Sequence, residues 1–229
     1  MTPHRLQPIP TAAVQRLSLY LRRLEELNDQ SVTTVSSRDL AADIRVTAAQ
    51  VRRDLTYFGQ FGKPGLGYAV GPLIQALRGL FGTDKLWHVV VVGAGDLGRA
   101  LMRYRGFASK GFKIVAAFDV ADSKIGRNIG GVSVHAMSEL PSVVRHHDVK
   151  LAVLATPPEA AQHAAHQLHA AGVRGILNFA PTMLETPADL AVGPVDLAAS
   201  LEQLSFQVHE QMQPSTGCAA AQSAGAQRT

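Results

Sequence analysis

Four valines at 89–92 run into GAGDLG, with glycines at 93, 95 and 98. That order suits a buried strand turning into a helix over a phosphate. The first glycine makes the tight turn, the second lets backbone approach the anion, and the third lets helix and strand pack closely. Gly93, Ala94, Gly95, Asp96, Leu97 and Gly98 are therefore candidates to hold a dinucleotide pyrophosphate through backbone N–H groups. The next apolar run, KIVAAFD, ends on Asp119, about twenty residues past the third glycine. A carboxylate there binds both ribose hydroxyls and repels a 2′-phosphate. Val120 and Lys124 complete the rim. The pattern favours NADH and NAD+ over NADPH, although Lys124 and Arg127 add positive charge. The other reading of Asp119 is a solvated carboxylate at a strand end.

A second constellation lies upstream. Thr47-Ala-Ala-Gln50 has the form of a capping box and opens TAAQVRRDLTYFG. Val51, Leu55 and Phe58 face inward in that helix, which leaves Gln50, Arg52, Arg53, Thr56 and Tyr57 around the rest of its surface. The short helix RDLAADI, capped by Ser36 or Ser37 and burying Leu40 and Ile44, precedes it across a three-residue break. This is the helix-turn-helix pattern. Thr47, Gln50, Arg52, Arg53, Thr56 and Tyr57 are the candidate contacts to phosphates or base edges. The five glycines of GQFGKPGLGYAVG suit a short hairpin, a wing that sets Lys63 against the minor groove or backbone. The alternative is a helical cap with a solvated charged face. A longer helix, TAAVQRLSLYLRRLEELN, comes first, with Val14, Leu17, Leu21, Leu24 and Leu27 on its inner stripe.

Charge sides with the first reading. Residues 1–85 carry eleven Lys/Arg against seven Asp/Glu, whereas residues 86–229 carry eleven of each. The whole excess of +4 lies ahead of the glycine turn, which points to a polyanion. With 229 residues and 46% apolar content, the chain can fill one large core or two modest ones. No apolar run approaches the ~20 residues of a membrane span, and the start MTPHRLQPIP lacks a signal-peptide core. Cys218, the single cysteine, sits in a tail of small residues expected to be disordered. No disulfide, metal site or membrane is expected, and the location expected is cytoplasmic.

Beyond the glycine turn, strands and helices alternate: GVSVH, SELPSVVRHH, KLAVLATP, EAAQHAAHQLHAAG, GILNFAP. Short buried strands separated by helices make a doubly wound parallel sheet with nucleotide at the strands' carboxyl ends. Ala155, Thr156, Pro157, Asn178 and Phe179 fall at such ends. An NAD-dependent reductase would need a proton donor and a substrate pocket. Tyr104 is the best acid and lacks a lysine or serine partner, while His163, His166 and His169 space as a polar helix stripe. The chemistry is missing, so no enzyme is expected. The last helix, VDLAASLEQLSFQVHEQM, aligns Leu197, Leu201, Leu204 and Val208 for docking on another subunit or on its own sheet.

The stretches VTAAQVRRDLTYFGQFGKPGLGY, GAGDLGRAL with YRGF, FDV, ILNFAP and VDLAASLEQLSF, in this order, resemble the redox-sensing transcriptional repressors of the Rex family. The resemblance covers roughly residues 9–210. It implies an α/β protein: an N-terminal winged helix over 1–85, a Rossmann-type domain over 86–195, and a domain-swapped C-terminal helix over 196–212, ahead of the tail 213–229. It further implies a homodimer on the double-stranded DNA of an A·T-rich inverted-repeat operator, released when NADH closes the dimer; NAD+ binds more weakly. Arg22, Tyr104 and Asp196 would form a redox-sensitive polar network, with Leu197 near the partner's nicotinamide. Pro64 stands where the wing usually carries arginine, and Leu197 where many relatives carry phenylalanine.

Overall fold

The computed structural model describes residues 9–42, 44–59, 61–63 and 65–212. Pro64, Cys218 and the tail 213–229 lie outside them. The chain divides into two compact units, Met1–Trp87 with Gly106–Phe112, and His88–Arg105 with Lys113–Thr229.

The first unit runs α1 (Thr11–Asp29), β1 (Thr34–Val35), α2 (Ser37–Ala42), α3 (Ala48–Leu55), β2 (Gly62–Lys63), β3 (Gly67–Ala69) and α4 (Val70–Phe81). Its strands form a small antiparallel sheet in the order β1-β3-β2. Gly67, at φ +81, passes so close to β1 that a Cβ would lie 2.4 Å from the Val35 carbonyl oxygen. Only glycine fits that crossing. Leu17, Tyr20, Leu24, Leu40, Val51, Leu55, Leu73 and Leu77 fill the core. The inner stripe of α1 differs from the one the leucine spacing suggests. Ala13 and Tyr20 are buried, Val14 is 36% exposed and Leu21 only half-buried. The stripe is rotated because the Tyr20 hydroxyl has a buried acceptor to reach, the Asp54 carboxylate. The third helix is also shorter than its pattern. It ends at Leu55 and tightens into a 3-10 turn, Thr56–Phe58.

The second unit carries β4 (Trp87–Val92), α5 (Asp96–Met102), β5 (Phe112–Asp119), β6 (Asn128–Ile129), β7 (Val132–Ala136), α6 (Leu140–His146), β8 (Leu151–Leu154), α7 (Pro158–Ala171), β9 (Gly175–Asn178), β10 (Ala191–Pro194) and α8 (Leu197–Met212). The sheet order is β10-β9-β8-β4-β5-β7-β6. β10, β9, β8 and β4 pair in parallel, as do β5 and β7, and only the short β6 turns back. Val90, Val92, Phe118, Leu154, Leu168 and Ile176 are buried at its heart. The alternation of runs and helices thus gives the α/β architecture it predicts, with two short edge strands, β6 and β10, added. At the far end of β4, His88 Nδ1 bonds the His147 carbonyl at 2.7 Å, beside the end of α6.

Candidate functional site

The turn from β4 into α5 is shaped by absences of side chain. A Cβ on Gly93 would lie 2.4 Å from the Ala155 carbonyl oxygen, and one on Gly98 would lie 1.8 Å from that of Gly93. Those two glycines are held by the protein's own packing. Gly95 is different: nothing lies within 4 Å of its Cβ position. Its backbone opens onto a cleft of about 540 Å³.

Asp119 stands at the end of β5, 7% exposed, at the edge of that cleft. Its Oδ2 accepts from the Ala94 N–H at 2.8 Å and from Lys124 Nζ at 2.9 Å, and its Oδ1 from the Ala121 N–H at 2.9 Å. The glycine turn is therefore tied to the strand beside it through one carboxylate. Burial alone would raise the Asp119 pKa, but Lys124 and the two N–H groups outweigh it and hold the carboxyl below its ordinary value. An ionised carboxylate has about four acceptor sites, and three are used. Across the cleft, the Thr156 hydroxyl oxygen is buried and has no hydrogen-bond partner. An open backbone, a charged carboxylate with spare capacity and an orphaned hydroxyl all fit a polar ligand carrying hydroxyls and phosphate.

Gly93, Gly95, Asp96, Leu97, Asp119, Val120, Lys124, Ala155, Thr156 and Pro157 line this cleft, as their positions predict. Ala94 and Gly98 are buried beneath it, where they shape the turn. Asn178 is also buried, and its amide is used locally: Oδ1 accepts from Ala180 N–H at 3.0 Å, and Nδ2 donates to the Thr182 carbonyl at 2.9 Å. It shapes the turn that presents half-buried Phe179. Neither they nor Leu197, 61% exposed at the start of α8, is among the lining residues. Met137, His163 and Gln167 are lining residues that the sequence reading missed. Met137 follows β7, so the strand-end rule could have found it. His163 and Gln167, four apart on α7, share one stripe of that helix beside the cleft. The histidine stripe splits accordingly: His163 lines the cleft, His166 meets Gln162 at 2.8 Å, and His169 meets Asp189 at 3.1 Å.

In the first unit, Ser36 caps α2 by accepting the Asp39 N–H at 3.1 Å, and Thr47 caps α3 by accepting the Gln50 N–H at 3.1 Å. Only half of the expected capping box forms. The Gln50 side chain donates from Nε2 to the buried Asp54 carboxylate at 2.8 Å, a charge-assisted bond that turns the amide away from the Thr47 N–H it would otherwise accept. Thr47, Arg52, Arg53 and Thr56 are exposed and Tyr57 is half-buried. Arg52 also donates to Ser37 at 3.0 Å, which bridges α3 to α2. Lys63 lies in β2 opposite Gly67, so the glycine-rich segment is the hairpin its composition suggests. A groove of about 530 Å³ runs between Arg52 and Thr56 on one side and Phe61 and Tyr68 on the other.

The three remaining predicted residues lie on separate elements. Arg22 is exposed on α1, beside a cavity of about 460 Å³ where Glu25 bonds Arg78 at 2.8 Å and also pairs with Lys110. Tyr104 follows α5 and is 60% exposed. Asp196 caps α8, with Oδ1 accepting the Ala199 N–H at 2.9 Å.

A winged helix with exposed arginines and a Rossmann unit with a charged cleft together define a nucleotide-responsive DNA-binding protein. Comparison with known proteins agrees. A family model described as "CoA binding domain" matches residues 84–182, and one described as "Putative DNA-binding protein N-terminus" matches residues 8–56. The redox-sensing transcriptional repressor Rex of Carboxydothermus hydrogenoformans is 48% identical over 200 residues, 87% of this chain and 96% of that relative. Rex of Streptomyces coelicolor is 44% identical over 207 residues, 90% of this chain and 80% of that one. The crystal structure of RSP in complex with beta-NAD+ and operator DNA matches with a TM-score of 0.84 at 35% identity, covering 90% of this chain and 94% of that one. RSP in complex with beta-NADH matches at 0.81 and 33%, covering 90% and 96%. The chain belongs to the Rex family of redox-sensing transcriptional repressors.

Proposed function

We propose that the protein represses transcription by binding operator DNA through its N-terminal unit, and that its C-terminal unit sets DNA affinity by sensing NADH against NAD+. The carrying observation is Asp119: a carboxylate kept charged at the edge of a cleft, with acceptor capacity left for ribose hydroxyls, in a chain whose other unit presents Arg52 and Arg53 on a helix-turn-helix. The cofactor supplies no reaction here. When bound it supplies a difference in charge, the reduced ring being neutral and the oxidised ring cationic. Such a protein works in the cytoplasm, where the DNA is.

The working unit in this reading is a homodimer. α8 buries none of its residues, and Leu197, Leu201, Leu204, Phe206 and Val208 are all at least 45% exposed. An amphipathic helix of 16 residues draws most of its stability from packing, which a second copy supplies by exchanging this helix. A two-fold dimer reads an inverted repeat, here A·T-rich, and a wing in the minor groove discriminates A·T from G·C. Leu197 and Phe179 offer the nicotinamide an apolar setting that favours the neutral reduced ring. Arg22 pairs with Asp196 in one state of the dimer, and Tyr104 competes for that carboxylate in the other. Coupling of ~1–3 kcal/mol changes operator affinity by about 5–150-fold.

Selection from random duplexes tests the DNA half and is expected to return an A·T-rich inverted repeat. Sedimentation tests the dimer: wild type should run at about twice the 24.4 kDa of the chain, and Leu201→Glu with Leu204→Glu at the chain mass. A monomeric wild type that binds the repeat fully would overturn the dimer.

A further inference from the structure

The recognition helix α3 rests on a carboxylate that the function above does not use. Asp54 is 1% exposed and accepts four hydrogen bonds. Arg16 donates from Nε to Oδ2 at 2.7 Å and from Nη2 to Oδ1 at 2.8 Å. The Tyr20 hydroxyl reaches Oδ2 at 2.8 Å, and Gln50 Nε2 reaches Oδ1 at 2.8 Å. All four acceptor sites are filled. The first three bonds come from α1, and the fourth comes from the first turn of α3 itself.

This arrangement has a consequence for Gln50. An ionised carboxylate accepts and never donates, so turning the Gln50 amide over would set Oε1 against Oδ1. One N–H is committed to Asp54, and the outer edge keeps one acceptor, Oε1, beside one remaining N–H. Gln50 is half-buried and sits among the N-terminal residues of the helix, those best placed to reach base edges.

We propose that Asp54 is a positioning residue that locks the Gln50 amide in one orientation, so that Gln50 reads adenine in the major groove. Adenine presents the N6 amino donor beside the N7 acceptor, which complements Oε1 and the remaining N–H. Guanine presents two acceptors, O6 and N7, and sets O6 against Oε1. A free glutamine meets guanine by turning over; a locked one does not. The inference rests on α3 being the recognition helix, and its test separates the two.

The experiment measures binding of the full chain to duplexes in which each base pair of the selected half-site is replaced in turn. Wild type should prefer adenine to guanine at one position per half-site by about 5–150-fold. Gln50→Ala should lose that preference and keep the others. Asp54→Asn should lose it too, because an amide partner lets Gln50 turn over. Side-chain amide NMR of Gln50 in the wild-type chain reads the lock directly, even if Asp54→Asn fails to fold: a bonded Nε2–H is protected from exchange. Rapid exchange of both amide protons, or a Gln50-dependent preference for any other base, overturns the proposal. If Gln50→Ala changes no preference while Arg52→Ala and Arg53→Ala weaken binding, this inference alone fails. If none of the three variants alters binding, the recognition-helix reading fails as well.

Discussion

Among the described residues each unit buries one aspartate near the end of an element, Asp54 in α3 and Asp119 in β5, and the two are wired differently. Asp54 is closed: four donors, all side chains, fill it from α1 and α3. Asp119 is open: two backbone N–H groups and one lysine hold it, at the edge of a cleft, with room for another donor. A saturated carboxylate fixes an element in place. An unsaturated one, kept charged by backbone that cannot move away, is prepared for a ligand. In the proposed reading the difference separates a residue that positions from a residue that binds, although both are buried and both carboxyls are held below their ordinary pKa.

The largest effect that could break this contrast is on stability. Asp54→Ala leaves Arg16, Tyr20 and Gln50 without their acceptor. Losing one member of a buried charged network is worth about 3–5 kcal/mol, toward the lower end here because the Arg16 side chain is 27% exposed and regains water. Urea denaturation should show that loss, with NADH binding by the other unit intact. Asp119→Ala should do the reverse: modest destabilisation, NADH affinity weaker by about 1–3 kcal/mol, and a narrower gap to NADPH. If Asp119→Ala proves the more destabilising of the two, the contrast is wrong.

The glycine turn sharpens the same point at somewhat smaller cost. Gly98→Ala drives a methyl group into the Gly93 carbonyl and should lower stability by about 1–3 kcal/mol, along with NADH affinity. Gly95→Ala meets no protein atom and should reduce only NADH affinity, as calorimetry beside a thermal melt would show.

The smallest effect is the pH dependence. Burial favours protonation of both aspartates, and their donors outweigh it, so each pKa lies lower in the folded chain than in the unfolded one. The unfolded chain therefore takes up protons first. The stability is fully present above the ordinary aspartate pKa of about 3.9 and is lost as pH falls through the folded values. Asp54→Asn should flatten this acid limb when ΔG is measured between about pH 5 and 2.

Much of the architecture was legible because buried parallel strands are written as continuous apolar runs, as in 89–92 and KIVAAFD. β10 escaped because AVGP is a mostly exposed edge strand with Gly193 and Pro194, and β6 because two residues carry no period. The glycine turn and Asp119 were legible because their roles are set by spacing along the chain. The Arg16–Tyr20–Asp54–Gln50 cluster was not, since its members lie up to 38 residues apart and only folding brings them together. The same cluster explains two misread details, the rotated stripe of α1 and the half-formed capping box at Thr47. His163 was hidden among equally spaced histidines, and only the folded cleft, which it lines, distinguishes it.

The central claim is that the open carboxylate and the DNA-reading helix belong to one coupled device. Fluorescence anisotropy of the selected operator, titrated with NADH, NAD+ and NADPH at fixed protein and salt, tests it most directly. The account predicts release by NADH at a concentration about 5–150-fold below that required of NAD+, with NADPH weaker than NADH. Tyr104→Phe and Asp196→Ala should still bind DNA but respond poorly to NADH. Equal release by NADH and NAD+, or DNA binding indifferent to both, would contradict it.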